Sequence, residues 1–173
     1  MLTMKLCFDP VLREVATPVT DAASVRGALE EMVAVMDEQN GVGLAAPQVG
    51  ISQRFLVMRD VAGPRNPGEP TDAPILKMLN PIIKSKSPEL VIKEEGCLSV
   101  LGPEGPVFAD VERPAAVTIE WTDENGACHT REFTGVAARI AQHEIDHLDG
   151  ILFIDYLSSA KREMLMRKVK KRK

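Results

Sequence analysis

The sequence predicts an α+β fold in which mainly antiparallel sheets pack around a central helix, with one further helix toward each end of the chain. Segments with the apolar patterns of β-strands lie in the middle of the chain, and helical apolar periodicity lies before and after them. The predicted strands are joined by turns rather than by helices, which favours antiparallel pairing over a β-α-β series. A chain of 173 residues is long enough for one domain with its own hydrophobic core.

The N-terminal part contains one predicted helix and a glycine-rich loop. Residues 8–13 predict an extended entry followed by a short helical turn. Residues 24–40 predict a helix, because apolar side chains recur there at helical spacing, and Asn40-Gly41 predicts its end. These side chains are Val25, Leu29, Met32 and Met36. Residues 41–50 contain three glycines and no charged residue, which predicts a loop.

The middle of the chain contains the predicted strands. Residues 61–74 are rich in glycine and proline and predict a surface loop. Asn125-Gly126 predicts a tight turn between two strands that form a hairpin. The predicted strands are residues 55–58, residues 75–92 as one or two strands, residues 117–121 and residues 128–133.

The C-terminal part contains two predicted helices and a basic tail. The helices span residues 134 or 135 to 148 and residue 158 onward. The last 13 residues, 161–173, hold eight basic residues and one acid, a net charge of +7. Since the whole chain carries −4, the rest of it carries −11. We therefore expect a single domain over residues 1–160 and a basic helical tail over residues 161–173.

Composition excludes several classes of protein. No apolar run approaches the roughly 18–20 residues of a membrane span, and the N-terminus lacks the apolar core of a secretory signal. Three cysteines, Cys7, Cys97 and Cys128, are too few for a disulfide framework, so we expect reduced thiols in a cytoplasmic protein. No membrane or DNA partner is expected.

The motif His143-Glu144-Ile145-Asp146-His147 contains two of the three histidines of the chain. On a helix, residues i and i+4 lie on one face, so both imidazoles can bind one metal ion with Glu144 beside the open coordination position. This face also contains Val136 and Ile140 and should pack inward. The alternative is a pair of core histidines that hydrogen-bond to the backbone. The third histidine, His129, is expected to be a surface strand residue.

A metal site of this kind needs a third protein ligand. The metzincin pattern would place a histidine six residues after His147, where the sequence has Phe153. The thermolysin-like pattern would use Glu163, which lies among basic residues and is better explained by surface ion pairs. Cys97 is the remaining good candidate, and it would leave a fourth position open for water. The alternative is a small buried hydrophobic residue.

Three segments together resemble the peptide deformylase family. These are residues 41–48 (GVGLAAPQ), residues 95–99 (EGCLS) and residues 142–147 (QHEIDH), which match the three family motifs in order. Residues 9–13 and 147–155 resemble the flanking family segments, so the resemblance covers nearly the whole chain. The C-terminal helix resembles that of the type 1 subgroup.

The resemblance implies a role for each motif. Cys97, His143 and His147 would hold one divalent ion, with Fe(II) as the physiological metal and Zn(II), Ni(II) or Co(II) able to occupy the site. Glu144 would act as general base and then as general acid. The side-chain amide of Gln48 and the backbone N–H of Leu98 would stabilise the oxyanion.

The substrate implied by the resemblance is the N-formyl group of formyl-methionine at the start of nascent chains. The products would be formate and a free α-amine. Val42, Gly43, Val136 and Ile140 are expected to line the methionine pocket, although the three apolar residues could equally be core and Gly43 part of a turn.

One stretch departs from the family pattern. Many members carry proline shortly after Cys-Leu-Ser, whereas this chain continues as Ser99-Val100-Leu101-Gly102-Pro103, and the loop up to residue 114 looks extended. The departure leaves the metal ligands intact and concerns contacts with substrate residues beyond methionine.

Two other functions remain as alternatives. One is a catalytically silent module that binds ribosomes or peptides, and the other is a metallopeptidase that cleaves peptide bonds. The basic tail is either a solvated helix or a means of docking on ribosomal RNA phosphate.

Overall fold

The computed structural model describes residues 2–63 and 72–170. Three α-helices lie within them: α1 (Arg26–Glu38), α2 (Gly135–Leu148) and α3 (Ser159–Val169). The strands of this part of the chain are β1 (Gly43–Ala45), β2 (Phe55–Arg59), β3 (Ile75–Lys86), β4 (Leu90–Gly102), β5 (Gly105–Pro114), β6 (Ala116–Thr122) and β7 (Cys128–Thr134). Short 3-10 helices cover Pro10–Arg13, Ala22–Val25, Ala46–Val49 and Phe153–Tyr156.

The strands form two antiparallel sheets, which confirms the α+β prediction. The larger sheet has the order β1-β2-β3-β6-β7, and β4 and β5 form a separate two-stranded sheet. Every strand pair described is antiparallel, including the predicted hairpin of β6 and β7. Gly126 has a φ of 86°, in the left-handed region that this tight turn requires.

Helix α2 lies at the centre of the fold, as predicted. Its small and apolar residues pack on the inner face of the larger sheet, and ten of its side chains are buried. Ala138, Ala141 and Leu148 are fully buried and lie in the same cluster as Leu56 and Ile119. Small alanine side chains let this helix approach the sheet closely, so the histidine motif is carried deep into the molecule.

The terminal helices match the predictions closely. The expected apolar stripe is buried in α1, and the four residues before this helix form a 3-10 turn. The oxygen of Ser158 caps α3 by accepting a hydrogen bond from the backbone N–H of Lys161. Leu165 and Val169 of α3 are buried in the same apolar cluster as Cys97. No described helix is long and apolar enough to cross a membrane.

Three predictions about loops were wrong in part. The glycine-rich segment contains β1 and a 3-10 helix, because Gly43, Leu44 and Ala45 pair with β2. Cys97, which follows the predicted strands of residues 75–92, lies inside a strand as well, because β4 continues to Gly102. The stretch after it is not an extended loop but a tight hairpin, in which Gly102 pairs with Gly105. Residues 64–71 of the predicted surface loop lie outside the described residues.

Candidate metal centre

Helix α2 places His143 and His147 one turn apart with their rings in contact. The ring centroids are 5.0 Å apart and the ring planes lie at 79°. Both side chains are buried, at 8% and 1% exposure. Phe153, which lies where the metzincin pattern would have its third histidine, stacks on His143 at 6.1 Å.

Cys97 meets the two histidines from the two-stranded sheet. Its Sγ lies 3.3 Å from Nε2 of His147, and one ligand atom from each of the three residues lies within 4.8 Å of the others. Within the described part of the chain, this is the one group of three or more such side chains with that spacing. Burial lowers the pKa of His147 well below its usual value, so this imidazole is neutral and able to bind a metal.

Glu95 orients His143 from the same strand as Cys97. Oε2 of Glu95 lies 3.0 Å from Nδ1 of His143, which leaves Nε2 of this histidine for the centre. Burial by itself would raise the pKa of Glu95, but hydrogen bonds from His143 and Arg113 lower it to about 2. Glu95 is therefore a buried carboxylate at neutral pH.

A charge-balanced network surrounds Glu95. Arg113 of β5 donates two hydrogen bonds to Glu95, at 2.5 and 2.9 Å, and one to Asp146 at 2.7 Å. Arg139 donates to Glu95 at 2.7 Å, so two arginines face two carboxylates. Tyr156 closes the outer side, with its hydroxyl on Asp146 and its ring 4.8 Å from the Arg113 guanidinium.

The sequence assigned no role to the residues of this network. Glu95 lies two residues before Cys97 in the EGCLS segment, and Asp146 lies between the two histidines. Arg113 is 18 residues from Glu95, and its side chain reaches Glu95 only because β4 and β5 pair, with Arg113 opposite Val91. The sequence signal that could have identified it is an arginine that continues a row of alternate apolar residues, Val107, Ala109 and Val111.

Glu144 points into the centre without a fixed partner. Its side chain is 4% exposed, and Oε2 has no hydrogen-bond partner among the residues described. Burial raises its pKa to about 7. A Cβ atom on Gly43 would lie 2.4 Å from Oε1 of Glu144, so β1 passes the carboxyl group at a distance that only glycine permits.

Gln48 points its amide nitrogen toward Cys97. The backbone N–H of Ala45 donates to Oε1 at 2.8 Å, and this bond fixes which way the amide faces. Nε2 then lies 3.2 Å from Oγ of Ser99 and 3.5 Å from Sγ of Cys97. Leu98, between these two residues, lies in the bulge where the register of β4 and β5 shifts.

The predicted pocket residues lie beside α2. Ile140 is 8% exposed and belongs to the apolar cluster of this helix, and Val42 and Val136 are partly buried against it. Gly43 lies at Glu144, as described above. The structure therefore brings these residues to one region, and their role in binding substrate stays a prediction.

The remaining candidates lie where the sequence placed them, with one exception. His129 is an exposed strand residue paired with Asp123, and Glu163 forms a surface ion pair with Arg167. The exception is Cys7, to which the sequence assigned no role. Its backbone N–H donates to Ser99, and its buried side chain lies in the apolar cluster of Cys97.

Comparison with known proteins identifies the family of this chain. The family model described as polypeptide deformylase matches residues 2–163. The chain belongs to the polypeptide deformylase family. Membership makes this protein a hydrolase that acts on the N-formyl amide, and a metal-dependent enzyme of protein biosynthesis. The family prediction from the three motifs is thereby confirmed.

The similarity extends over nearly the full length of the relatives. The peptide deformylase of Rhizobium meliloti strain 1021 is 44% identical over 164 residues, covering 94% of this chain and 88% of the relative. The crystal structure of the Thermotoga maritima deformylase has a TM-score of 0.79 at 40% identity, covering 91% of this chain and 98% of that one. The Legionella pneumophila deformylase has a TM-score of 0.85 at 35% identity, with 99% and 94% coverage.

Proposed function

We propose that this deformylase hydrolyses the N-formyl group of formyl-methionine on newly made chains and releases formate. The observation that carries the proposal is the convergence of three elements on one buried point. Helix α2 brings His143, His147 and Glu144, β4 brings Cys97, and the turn after β1 brings the amide of Gln48. A thiolate, two imidazoles, a carboxyl group and an amide donor are the groups that metal-assisted amide hydrolysis needs.

The donor set fits one divalent ion. Cys97, His143 and His147 offer sulfur and nitrogen ligands with the required spacing, and three protein ligands leave a fourth position for water or substrate. A bound ion supplies a Lewis acid that makes water a nucleophile near neutral pH. We propose Fe(II) as the physiological metal, as the resemblance to the family implies. Zn(II), Ni(II) or Co(II) could replace it, because thiolate and imidazole accept all four.

Glu144 is proposed as the group that moves the proton. Its pKa of about 7 lies near the operating pH, where a carboxyl group can both accept a proton and donate one. The unpartnered Oε2 is available to accept the proton of the attacking water. The same oxygen then donates it to the leaving nitrogen, which departs as a free amine.

Gln48 and Leu98 are proposed as the donors to the oxyanion. The amide of Gln48 is held by Ala45, so its N–H group faces the site before substrate arrives and needs no reorganisation. The backbone N–H of Leu98 follows directly after the Cys97 ligand. Loss of one such donor typically costs about 2.7–4 kcal/mol of transition-state stabilisation.

The methionine pocket is proposed beside α2, between Val42, Val136 and Ile140. These side chains are apolar and border the face of the helix that carries the histidines. Gly43 leaves room for the carboxyl group of Glu144 and for the substrate backbone. An unbranched thioether side chain suits an apolar pocket of this kind.

The test is formate release from formyl-Met-Ala-Ser by anaerobically prepared protein. Glu144→Ala should retain bound metal and lose several orders of magnitude in turnover, because the general base is gone while the three ligands remain. Glu163→Ala is the matched control, since Glu163 is an exposed carboxylate on α3. Its turnover should equal that of the wild type.

Two other results would contradict the proposal. Metal uptake without formate release would favour the silent binding module. Cleavage of the Met-Ala bond in an unblocked peptide would favour the metallopeptidase. Elemental composition of the anaerobic protein identifies the metal.

We also propose that the protein works in the cytoplasm and docks on ribosomal RNA through its basic tail. Basic side chains on the exposed side of α3 support this, among them Lys161, Arg162, Arg167 and Lys168. Because Leu165 and Val169 are buried, deleting residues 161–173 would open the apolar cluster around Cys97. Replacing the four basic residues by glutamine avoids this damage. Co-sedimentation with ribosomes should then fall while activity on short formyl-peptides stays unchanged; unchanged co-sedimentation would contradict docking.

A further inference from the structure

Arg139 connects α2 to both strands of the two-stranded sheet. Its Nη1 donates to Oε1 of Glu95 at 2.7 Å and to the carbonyl oxygen of Val111 at 2.9 Å. Its Nη2 donates to the carbonyl oxygen of Val91 at 2.6 Å. Glu95 and Val91 lie on β4 and Val111 lies on β5, so one guanidinium group bridges both strands from the helix.

The apolar contacts of α2 lie on its other side. The cluster that contains the buried alanines, Ile140 and Ile145 of α2 includes residues of β1, β2, β3, β6 and β7, and none of its described members belongs to β4 or β5. The apolar residues of β4 and β5, among them Cys97 and Val111, belong to a different cluster with α3. The hydrophobic effect therefore holds α2 to the larger sheet and contributes little between α2 and the smaller one.

Polar side chains make the connection instead. Arg139, Gln142, His143 and Asp146 lie at positions i, i+3, i+4 and i+7, which form one stripe along the helix. Gln142 donates to the carbonyl oxygen of Pro114, and Asp146 accepts from Arg113. His143 lies 3.0 Å from Glu95. The joint between α2 and the smaller sheet consists of directional hydrogen bonds and ion pairs.

The proposed metal ligands lie on both sides of this joint. His143 and His147 belong to α2, and Cys97 belongs to β4. From this placement we infer that Arg139 is a positioning residue, which holds the Cys97 strand against α2 and thereby sets the distance from the thiolate to the two imidazoles. The inference rests on the proposed metal centre.

Arg139 is a better subject for this test than Arg113. The side chain of Arg113 is 3% exposed, and its loss would leave Glu95 and Asp146 as poorly compensated buried charges, so the fold itself would suffer. The side chain of Arg139 is 15% exposed and lies at the edge of the network. Without it, Glu95 keeps its hydrogen bonds with Arg113 and His143.

The experiment compares wild type, Arg139→Met and Arg139→Lys in the full chain. Methionine keeps the apolar stem and removes every donor, whereas lysine keeps the charge but presents its donors from one nitrogen atom instead of the planar fork of a guanidinium group. The matched control is Arg131→Met. Arg131 forms a two-bond ion pair with Asp60 and stacks on Phe133, away from β4 and β5.

Two measurements report on the position of the Cys97 strand relative to α2 rather than on enzyme activity. The first is the rate at which Co(II)-loaded protein loses metal to a chelator, followed by the thiolate-to-cobalt absorption band. Arg139→Met should lose Co(II) about 10-fold faster or more, since groups that orient metal ligands typically contribute 10–100-fold in affinity, and Arg139→Lys should lie between it and wild type. The second is amide hydrogen exchange of the metal-free protein, which should accelerate in β4 and β5 of Arg139→Met and stay unchanged in β2 and β3.

Each of the other outcomes overturns the inference. If Arg139→Met keeps the wild-type rate of metal loss, or behaves like Arg131→Met, Arg139 does not position Cys97. If exchange accelerates across the whole chain, Arg139 contributes only to global stability. A wild-type protein that binds no Co(II) through Cys97 would overturn the proposed function and the role of Arg139 toward the metal together. The exchange pattern would then still show whether Arg139 joins α2 to the smaller sheet.

Discussion

The close approach of Gly43 to Glu144 leads to a sharp prediction about Gly43→Ala. A methyl group at this position would lie 2.4 Å from Oε1 of Glu144 and 2.8 Å from both Cδ and Cγ. Oε1 would have to move by about 0.6 Å to reach 3.0 Å, the shortest separation that a real Cβ tolerates, and by about 1 Å to reach ordinary contact at 3.4 Å. Gly43 has a negative φ, so the substitution adds no backbone strain.

The displacement translates into a loss of turnover. A misplacement of about 1 Å in a reacting group costs about 100-fold in rate, so Gly43→Ala should lower kcat by roughly two orders of magnitude. Crowding in a packed interior should also reduce stability by about 1–3 kcal/mol. Metal content should remain that of the wild type, because the three atoms nearest to the methyl group all belong to Glu144, which is not one of the proposed ligands.

The assay is formate release under anaerobic conditions, with metal content and urea unfolding measured on the same samples. Gly27→Ala is the matched control, since a Cβ at Gly27 in α1 meets no atom within 4 Å. It should keep full activity and gain about 0.5–1 kcal/mol of stability, because alanine favours a helix over glycine. Wild-type kcat in Gly43→Ala would refute the assignment of Glu144 as the proton-transfer group at this position.

Two further predictions concern the pKa values of Tyr156 and Glu95. Partial burial, followed by the negative charge of Asp146, raises the pKa of the half-exposed Tyr156 to about 12. Since Tyr156 is the only tyrosine of the chain, absorbance at 295 nm should titrate near pH 12 in the folded protein and near pH 10 in urea. A folded-state midpoint near pH 10 would contradict the raised pKa of Tyr156. The second concerns Glu95, whose pKa falls to about 2 through His143 and Arg113 despite its burial. A carboxyl group whose pKa is lower in the folded protein than in the unfolded chain stabilises the fold at pH values above its unfolded pKa, here about 4.5. For Glu95 this stabilisation is about 3 kcal/mol at neutral pH, and it is lost as the pH falls toward 2. The stability difference between metal-free wild type and Glu95→Gln should shrink over this range, and a difference independent of pH would contradict the prediction.

The residue patterns were sufficient to predict the helix that carries the two histidines and the fold class. Helix α2 follows from a period of 3.6 residues, a local property that the neighbouring side chains specify by themselves. The same period places His143, Glu144 and His147 on known sides of the helix before any tertiary contact is considered. Cys97 could be selected as the third metal ligand because the two other known patterns do not fit. The metzincin pattern needs a histidine where the chain has Phe153, and the thermolysin-like pattern needs Glu163, which lies among basic residues.

Strand pairing could not be predicted in the same way. The stretch from Ser99 to Pro114 contains glycine and proline at the positions of a loop, yet it forms the end of β4 and the whole of β5. The glycine-rich segment contains β1, because it finds β2 as a partner. A strand is stabilised by hydrogen bonds to residues distant in the chain, so its local composition predicts it less well than it predicts a helix.

The sequence alone determined the chemistry available to this protein: a histidine pair with a glutamate between them, one suitable cysteine and an amide donor, in the order of a deformylase. Only the tertiary structure decided how these groups are held. The pairing of β4 with β5 brings Arg113 onto Glu95, and the packing of α2 brings Arg139 to the same carboxylate. Such contacts depend on strand register and on the placement of a helix against a sheet, which are non-local properties that no short segment encodes.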